Sequence, residues 1–349
     1  MNSIVFLGAA ALMLATACSA ESAARDPAPR AASGHVLGVP VDLPADRLSR
    51  HVAYLSHDGL GGREPGTPGD EAARAYIADE FSHAGLTELY ETGWQQAFKS
   101  ETGDGPVRTA NVAGLVPGRE LPDEYIVILA HHDGQGLCAP KAREDRICNG
   151  AVDNASGVAL LIELARYFAK DPAPRSLIFL ATGAEESGLT GARHFGKSPP
   201  VPLPQIVAAF GLDTVAARGR APAVAVLGEG LTNLDALVVE SAARQGRTVD
   251  TPAEAAGFYR RSDHFAFAEA GIPALIVTGV LSPGEDTFLK GDYGRNRYHQ
   301  PKDEADGTID YSGAQADGAL LADLIRALGP SAPRPAWTEK APYGRDMSK

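Results

Sequence analysis

Tyr125-Ile126-Val127-Ile128-Leu129-Ala130-His131-His132-Asp133 decides the fold. No polar side chain breaks the run before His131, as a strand buried on both faces requires. A strand with one wet face would alternate apolar and polar positions instead. The run then stops on residues that ligate metals and move protons. The pattern recurs along the chain. Ser176-Leu177-Ile178-Phe179-Leu180-Ala181 is followed by Glu185-Glu186, and Ile206 to Leu212 ends at Asp213. Ala223 to Leu227 and Ile272 to Val277 are further strands. Ser156 to Lys170 reads as a helix, with Val158, Leu161, Ile162, Ala165 and Phe168 on one stripe. Shorter helices are expected from Leu189 to Gly196 and from Asn233 to Arg244. Leu320, Leu321, Leu324, Ile325 and Leu328 mark a last one. Two more, Asp46 to His57 and Pro68 to Gly85, open the folded part around the Gly-rich turn Gly59 to Gly66. Strands alternating with helices predict an α/β fold with a central, mostly parallel twisted sheet and helices on both faces.

Composition narrows the function. The chain has 349 residues, 44% hydrophobic and 22% charged, which rules out wholesale disorder. A net charge of −12 and the lack of a basic run leave no attraction for nucleic acid. Three cysteines exclude a disulfide-built fold and a four-cysteine zinc site. Residues 1–17 read as a signal peptide, because Ile4 to Ala17 is apolar yet short for a bilayer span. Leu14-Ala15-Thr16-Ala17-Cys18 resembles a bacterial lipobox. That makes Cys18 the expected lipidated terminus, anchored in the outer or cytoplasmic membrane, with Ser19 favouring the outer one. The expectation is an exported protein, periplasmic or a cell-envelope lipoprotein. Residues 18–40 would be a tether, 41–329 the folded domain and 330–349 a Pro-rich C-terminal tail left outside the fold. Cys138 and Cys148 lie in the loop between His131 and Asp153. In an oxidising compartment they are the remaining pair and are expected to form a disulfide.

The chemistry lies where the strands end. Ligands in open α/β sheets bind outside the carboxyl ends of the strands. His131, Asp133, Asp153, Glu185, Glu186 and Asp213 all fall in such loops, and His299 comes late in the chain. Singly, each has an ordinary reading: a strand-end Asp caps a helix, and paired acids face solvent. Their common placement argues for one rim. Imidazole and carboxylate without thiolate suit zinc or a similar divalent ion. Five or more such ligands exceed the four of one ion and suit two ions sharing a carboxylate. His132 is expected on the opposite strand face.

The motifs Ala130-His131-His132-Asp133, Asn149 to Ala159 (with Asp153 at its centre), Ala184-Glu185-Glu186-Ser187-Gly188-Leu189, Gly211-Leu212-Asp213, Ser262-Asp263-His264, Gly271-Ile272-Pro273 and Tyr298-His299-Gln300-Pro301-Lys302-Asp303 together resemble metallopeptidase family twenty-eight, the two-zinc aminopeptidases. Order and approximate spacing both match, the segment Gly61 to Gly69 also resembles the family's N-terminal helical region, and the resemblance covers about residues 45–328. The resemblance implies a single zinc-peptidase domain. The stretch from Ala97 to Glu124 is too short for an inserted protease-associated domain. It also implies two zinc ions per chain, with His131 and Asp213 on one, Glu186 and His299 on the other, and Asp153 bridging. Glu185 would be the general base acting on a metal-bound water. Tyr298 would donate to the oxyanion, or simply be a buried tyrosine at the rim. Asp133 would orient His131 through its other nitrogen. The bond after Asp153 would be cis. The implied activity is exopeptidase cleavage of the N-terminal peptide bond of a peptide substrate. Alternatives on the same scaffold are a single-zinc glutaminyl cyclase and carboxypeptidase-type specificity; a metal-free binding domain is the alternative of another class. A substrate pocket is expected around Phe210, Tyr259, Phe265 and Phe267, positions that suit a core equally well. Gly191 to Ser198 matches the phosphate-loop pattern formally, but no strand leads into it, so no nucleotide is expected. Ser262-Asp263-His264 holds the residue types of a serine-hydrolase triad, but side chains of sequence neighbours diverge.

Overall fold

Two helices come first, α1 (Ala45–Leu55) and α2 (Pro68–Ala84). Proline in the first turn and the Thr67 hydroxyl, which accepts from the Asp70 amide, start α2; Gly85 in the left-handed region (φ 88°) ends it. Then follow β1 (Thr87–Glu88), β2 (Gln95–Thr102), β3 (Gly105–Val116), β4 (Leu121–His131), α3 (Gly157–Lys170), β5 (Arg175–Thr182), α4 (Thr190–Lys197), β6 (Ile206–Gly211) and β7 (Ala223–Leu227). The chain continues with α5 (Asp235–Arg244), β8 (Thr248–Val249), α6 (Ala255–Phe258), α7 (His264–Glu269), β9 (Ala274–Val280), α8 (Asp292–Asn296) and α9 (Ser312–Ala327). This computed structural model describes residue 1 and residues 41–103, 105–139, 143–280 and 291–344. The expected leader, the tether and Cys18 lie outside the described residues. The described residues from 41 onward cluster as one compact unit.

The sheet order is β1-β3-β5-β4-β6-β9-β7-β8, with β2 paired to β3. The central strands β5, β4, β6 and β9 are parallel. Antiparallel pairing flanks them, β3 on β5 at one side and β7 on β9 at the other. The fold is therefore the expected α/β sheet, parallel at its centre. Alternation within the apolar runs divides the core. Ile126, Ile128, Leu177 and Phe179 face one layer with α1, α2, α3 and α9. Val127, Leu129, Ile178 and Leu180 face the other, with α4 and α7.

Two features depart from the sequence reading. The β2–β3 hairpin went unforeseen because Thr109, Asn111 and Gly114 break up the apolar signal of β3. The Pro-rich tail is not left outside the fold, at least to residue 344. The Trp337 indole donates to the Gly271 carbonyl at 2.8 Å, and the Tyr343 ring packs against Tyr259 and Phe265, each 5.9 Å between centroids. Arg334 also pairs with Glu124. Proline content alone misled, because it weakens regular structure without preventing a chain from packing.

Candidate metal centre

β4 delivers His131 to the end of the sheet, where it is buried to 2% exposure. The next strand over, β5, runs into a turn carrying Glu185 and Glu186, with Ala184 in the left-handed region (φ 56°). Asp213 follows β6, and Asp153 lies in the irregular turn that opens α3. His299, also left-handed (φ 55°), enters from the loop after α8.

These loops converge. His131 Nε2 lies 3.2 Å from Asp153 Oδ1 and 3.9 Å from Asp213 Oδ1. His299 Nε2 lies 3.1 Å from Asp153 Oδ2 and 3.2 Å from Glu186 Oε1. Asp153 therefore offers one oxygen to each imidazole. Potential ligand atoms group as His131, Glu185 and Asp213, and as Asp153, Glu186 and His299, all within 4.8 Å in each triad. All the residues expected as ligands meet, and Glu185 stands among them. The bond from Asp153 to Asn154 is cis.

Other side chains hold these loops. The Asp133 carboxylate accepts from the Glu185 amide (3.0 Å) and the Glu186 amide (3.2 Å). Asp133 also faces the other nitrogen of His131, through its backbone first. The closer partner of His131 Nδ1 is the Asp133 backbone carbonyl at 3.2 Å, against 3.8 Å for the carboxylate. The strand ends at His131, and the turn that follows brings the Asp133 carbonyl closer to the ring than its own carboxylate. Asp303 accepts from the amides of Val152 and Asp153, and from the Tyr293 hydroxyl. The Asn154 side chain ties the Asp153 turn to Leu212 and Thr214, beside Asp213. Gln135 donates to Glu186 Oε2 at 2.5 Å. Tyr298 stacks on His299, 3.9 Å between centroids. His132 points away and meets Asp70 at 3.0 Å. Cys138 and Cys148, their Cα atoms 5.7 Å apart, are joined in a disulfide at the rim.

Burial and mutual charge set the electrostatics. Burial pushes Asp213 up to about 6, and the charges of Asp153 and Glu186 add to it. Burial, then Asp263, Glu186 and Asp213, hold the Glu185 carboxyl well above its usual range. Burial would raise Asp153 too, but hydrogen bonds from His131 and His299 keep it low. Burial would lower His299, yet Asp153 and Glu186 push it up to about 10. So many buried carboxylates facing two imidazoles are costly unless a cation joins them. The donor set is oxygen and imidazole nitrogen, which fits zinc.

The sequence reading missed several of these supports. Asp303 stands within the quoted motif but carried no role. Asn154 adjoins Asp153 within the quoted motif and likewise carried no role of its own. Arg63, fully buried, sits in a Gly/Pro-rich turn where a charged residue reads as solvated. Phe210, Tyr259, Phe265 and Phe267 are core, at 8% exposure or less. The cavity beside Asp213 is lined instead by Val215, Leu227, Phe258, Ile276 and Tyr298 among others. Gly191 to Lys197 lies inside α4, and both His264 nitrogens are buried without a hydrogen-bond partner, so neither decoy motif forms a site.

A sheet of this topology, with a histidine–carboxylate cluster over the carboxyl ends of its parallel strands, is a zinc-peptidase fold. The profile of Peptidase family M28 matches residues 111–325. The chain belongs to Peptidase family M28. Among curated proteins it is 31% identical over 174 residues to a probable zinc metalloprotease of Pyricularia oryzae, covering 48% of this chain and 34% of that one. A probable zinc metalloprotease of Pyrenophora tritici-repentis is 29% identical over 174 residues, covering 48% and 40%. The matches thus span well under half the length of these relatives. Among solved structures, a Zn-dependent exopeptidase from Parabacteroides distasonis superposes with a TM-score of 0.64 at 18% identity, covering 82% of this chain and 99% of that one. An aminopeptidase from Aneurinibacillus gives 0.61 at 17% identity, covering 82% and 94%. A Porphyromonas gingivalis glutaminyl cyclase gives 0.65 at 20% identity, covering 82% and 99%. At these identities the likeness is one of fold.

Proposed function

We propose that the chain is a zinc-dependent exopeptidase that hydrolyses the N-terminal peptide bond of peptides. The observation that carries this reading is the Asp153 carboxylate, with one oxygen 3.2 Å from His131 and the other 3.1 Å from His299. Two zinc ions would be held there, one by His131 and Asp213, the other by Glu186 and His299, with Asp153 shared. Zinc supplies Lewis acidity at such a site, polarising a carbonyl and making water a better nucleophile at neutral pH. Glu185 takes the proton from the attacking water on its carboxylate and passes it to the leaving amine nitrogen. Its upward-shifted carboxyl suits both halves of that transfer. The Tyr298 hydroxyl, kept protonated by burial, donates to the developing oxyanion. The backbone at Glu185 and Glu186 is held through Asp133. The mostly apolar cavity beside Asp213 receives the substrate side chain.

Glutaminyl cyclase activity on the same scaffold would need one ion, so zinc content separates the two. A panel of aminoacyl-nitroanilides tests the activity. Hydrolysis should require a free amino terminus, stop on chelation and return with zinc. Equal cleavage of N-acetylated substrates would overturn the aminopeptidase reading. Export and anchoring through Cys18 form part of the same proposal, supported by the apolar leader ending in Ala17-Cys18. Palmitate labelling that survives Cys18→Ala would reject the anchor.

A further inference from the structure

We infer that Arg63 is a positioning residue that sets the spacing between the strand end bearing His131 and the turn bearing Asp153 before any ion binds. The inference rests on the reading that this cluster binds zinc. Arg63 has 0% exposure and lies upstream of the family match at 111–325. Its Nε donates to the His132 carbonyl at 2.7 Å. Nη1 donates to Leu55 at 2.5 Å and Asn149 at 2.6 Å, and Nη2 to Gly150 at 3.1 Å. These carbonyls come from three segments: the end of α1, the exit of β4 and the approach to Asp153. His132 adjoins His131, and Gly150 shortly precedes Asp153. One rigid side chain therefore spans both loops.

The backbone is shaped to deliver it. Gly61, Gly62 and Arg63 are all left-handed, at φ 55°, 71° and 53°. At Gly62 the chain presses on the disulfide loop, where a Cβ would sit 2.7 Å from the Cys148 carbonyl and 2.9 Å from Gly136 Cα. Among the described residues the guanidinium makes no ion pair; its hydrogen-bond acceptors are all backbone carbonyls. A buried cation held this way is costly unless nearby charge offsets it. Burial pulls its pKa down to about 10, and Asp133, Asp153, Asp303 and Glu186 oppose that shift. The carboxylates in and around the cluster thus favour the cation that holds these loops. A lysine keeps the charge, but its single ammonium lacks the planar fork that reaches four carbonyls.

The test uses the full chain. Wild type and Arg63→Lys compete for zinc with a chromophoric chelator, with circular dichroism as the fold control. Zinc affinity should fall about 10–100-fold in Arg63→Lys, the range for lost support of metal ligands. In Arg63→Ala, methylguanidinium should restore affinity and methylammonium should not. Unchanged affinity in a folded Arg63→Lys would overturn the inference. Hydrogen exchange then compares the zinc-free wild type with zinc-free Arg63→Lys, because Asp303 and Thr182 also hold amides of these two segments. Amides over 131–134 and 149–153 should stay protected in the zinc-free wild type and exchange faster in the variant, and equal protection in the two would overturn the inference. Collapse of that protection would show that the ion, not Arg63, sets the spacing. A wild type that takes up no zinc would refute the proposed function, while exchange on the zinc-free chain still decides the positioning.

Discussion

Glu185 stands apart from the other carboxylates of the site. It shares a triad with His131 and Asp213, yet it is tethered through its amide to Asp133 and has Asp263 among the charges that raise its carboxyl. An upward shift suits a base that shuttles a proton, but Asp213 shares it, so substitution has to separate base from ligand. Glu185→Gln keeps the shape and removes the proposed proton acceptor. The expected result is a kcat lower by about 10²–10⁴ with zinc content unchanged. Loss of zinc would make Glu185 a ligand, and a kcat near wild type would remove it from the chemistry. At this level the sequence spoke through residue type and position. His131, Asp153, Glu186, Asp213 and His299 could be picked out because each follows a strand or stands in a recognisable motif. Arg63 and Asn154 could not, because their roles depend on backbone carbonyls and amides that only the folded chain brings near.

The helices that flank the sheet are joined by charge as well as by apolar packing. Glu163 on α3 meets Arg47 (2.8 Å) and His51 (3.1 Å) on α1, and Arg166 (3.3 Å), which also reaches Glu80 on α2 at 2.7 Å. Burial alone would raise the Glu163 carboxyl, but the His51 hydrogen bond and the arginine charges outweigh it and hold it below 4.5. A depressed folded pKa contributes stability that is present above the unfolded value and lost as pH falls through the folded one. Glu163→Gln should therefore lower Tm by roughly 2–6 °C at pH 7, with the gap closing below about pH 4. Melting curves at pH 7, 5 and 3 check this; a gap that widened toward acid would contradict it. The elements themselves were readable where the apolar signal was long. β4, β5 and α3 stood out, and their ends agree with the structure to within a few residues. The hairpin of β2 and β3 was not, since an antiparallel flank tolerates small and polar residues that a central parallel strand does not.

Across the molecule, the tail links regions that the sequence order keeps apart. Trp337 reaches Gly271 between α7 and β9, Asn233 donates to the Arg334 carbonyl before α5, and Tyr343 rests on Tyr259 and Phe265. Ser262 and Asp263 lie between those two rings in the chain, and Ser262 lines the same cavity as Asp213. Trp337→Ala should cost about 1–3 kcal/mol of stability in denaturant unfolding, less than a fully buried tryptophan because the ring is only partly covered. No change would mean that the tail merely lies on the surface. The same long-range convergence makes the candidate metal centre, whose donors come from five separate segments and meet around Asp153. The most direct test of that convergence is anomalous scattering at the zinc edge from crystals grown with excess zinc. The expected result is a pair of peaks per chain, one on each side of the Asp153 carboxylate, the first beside His131 and Asp213 and the second beside Glu186 and His299. A single peak, or none within reach of Asp153, would contradict it.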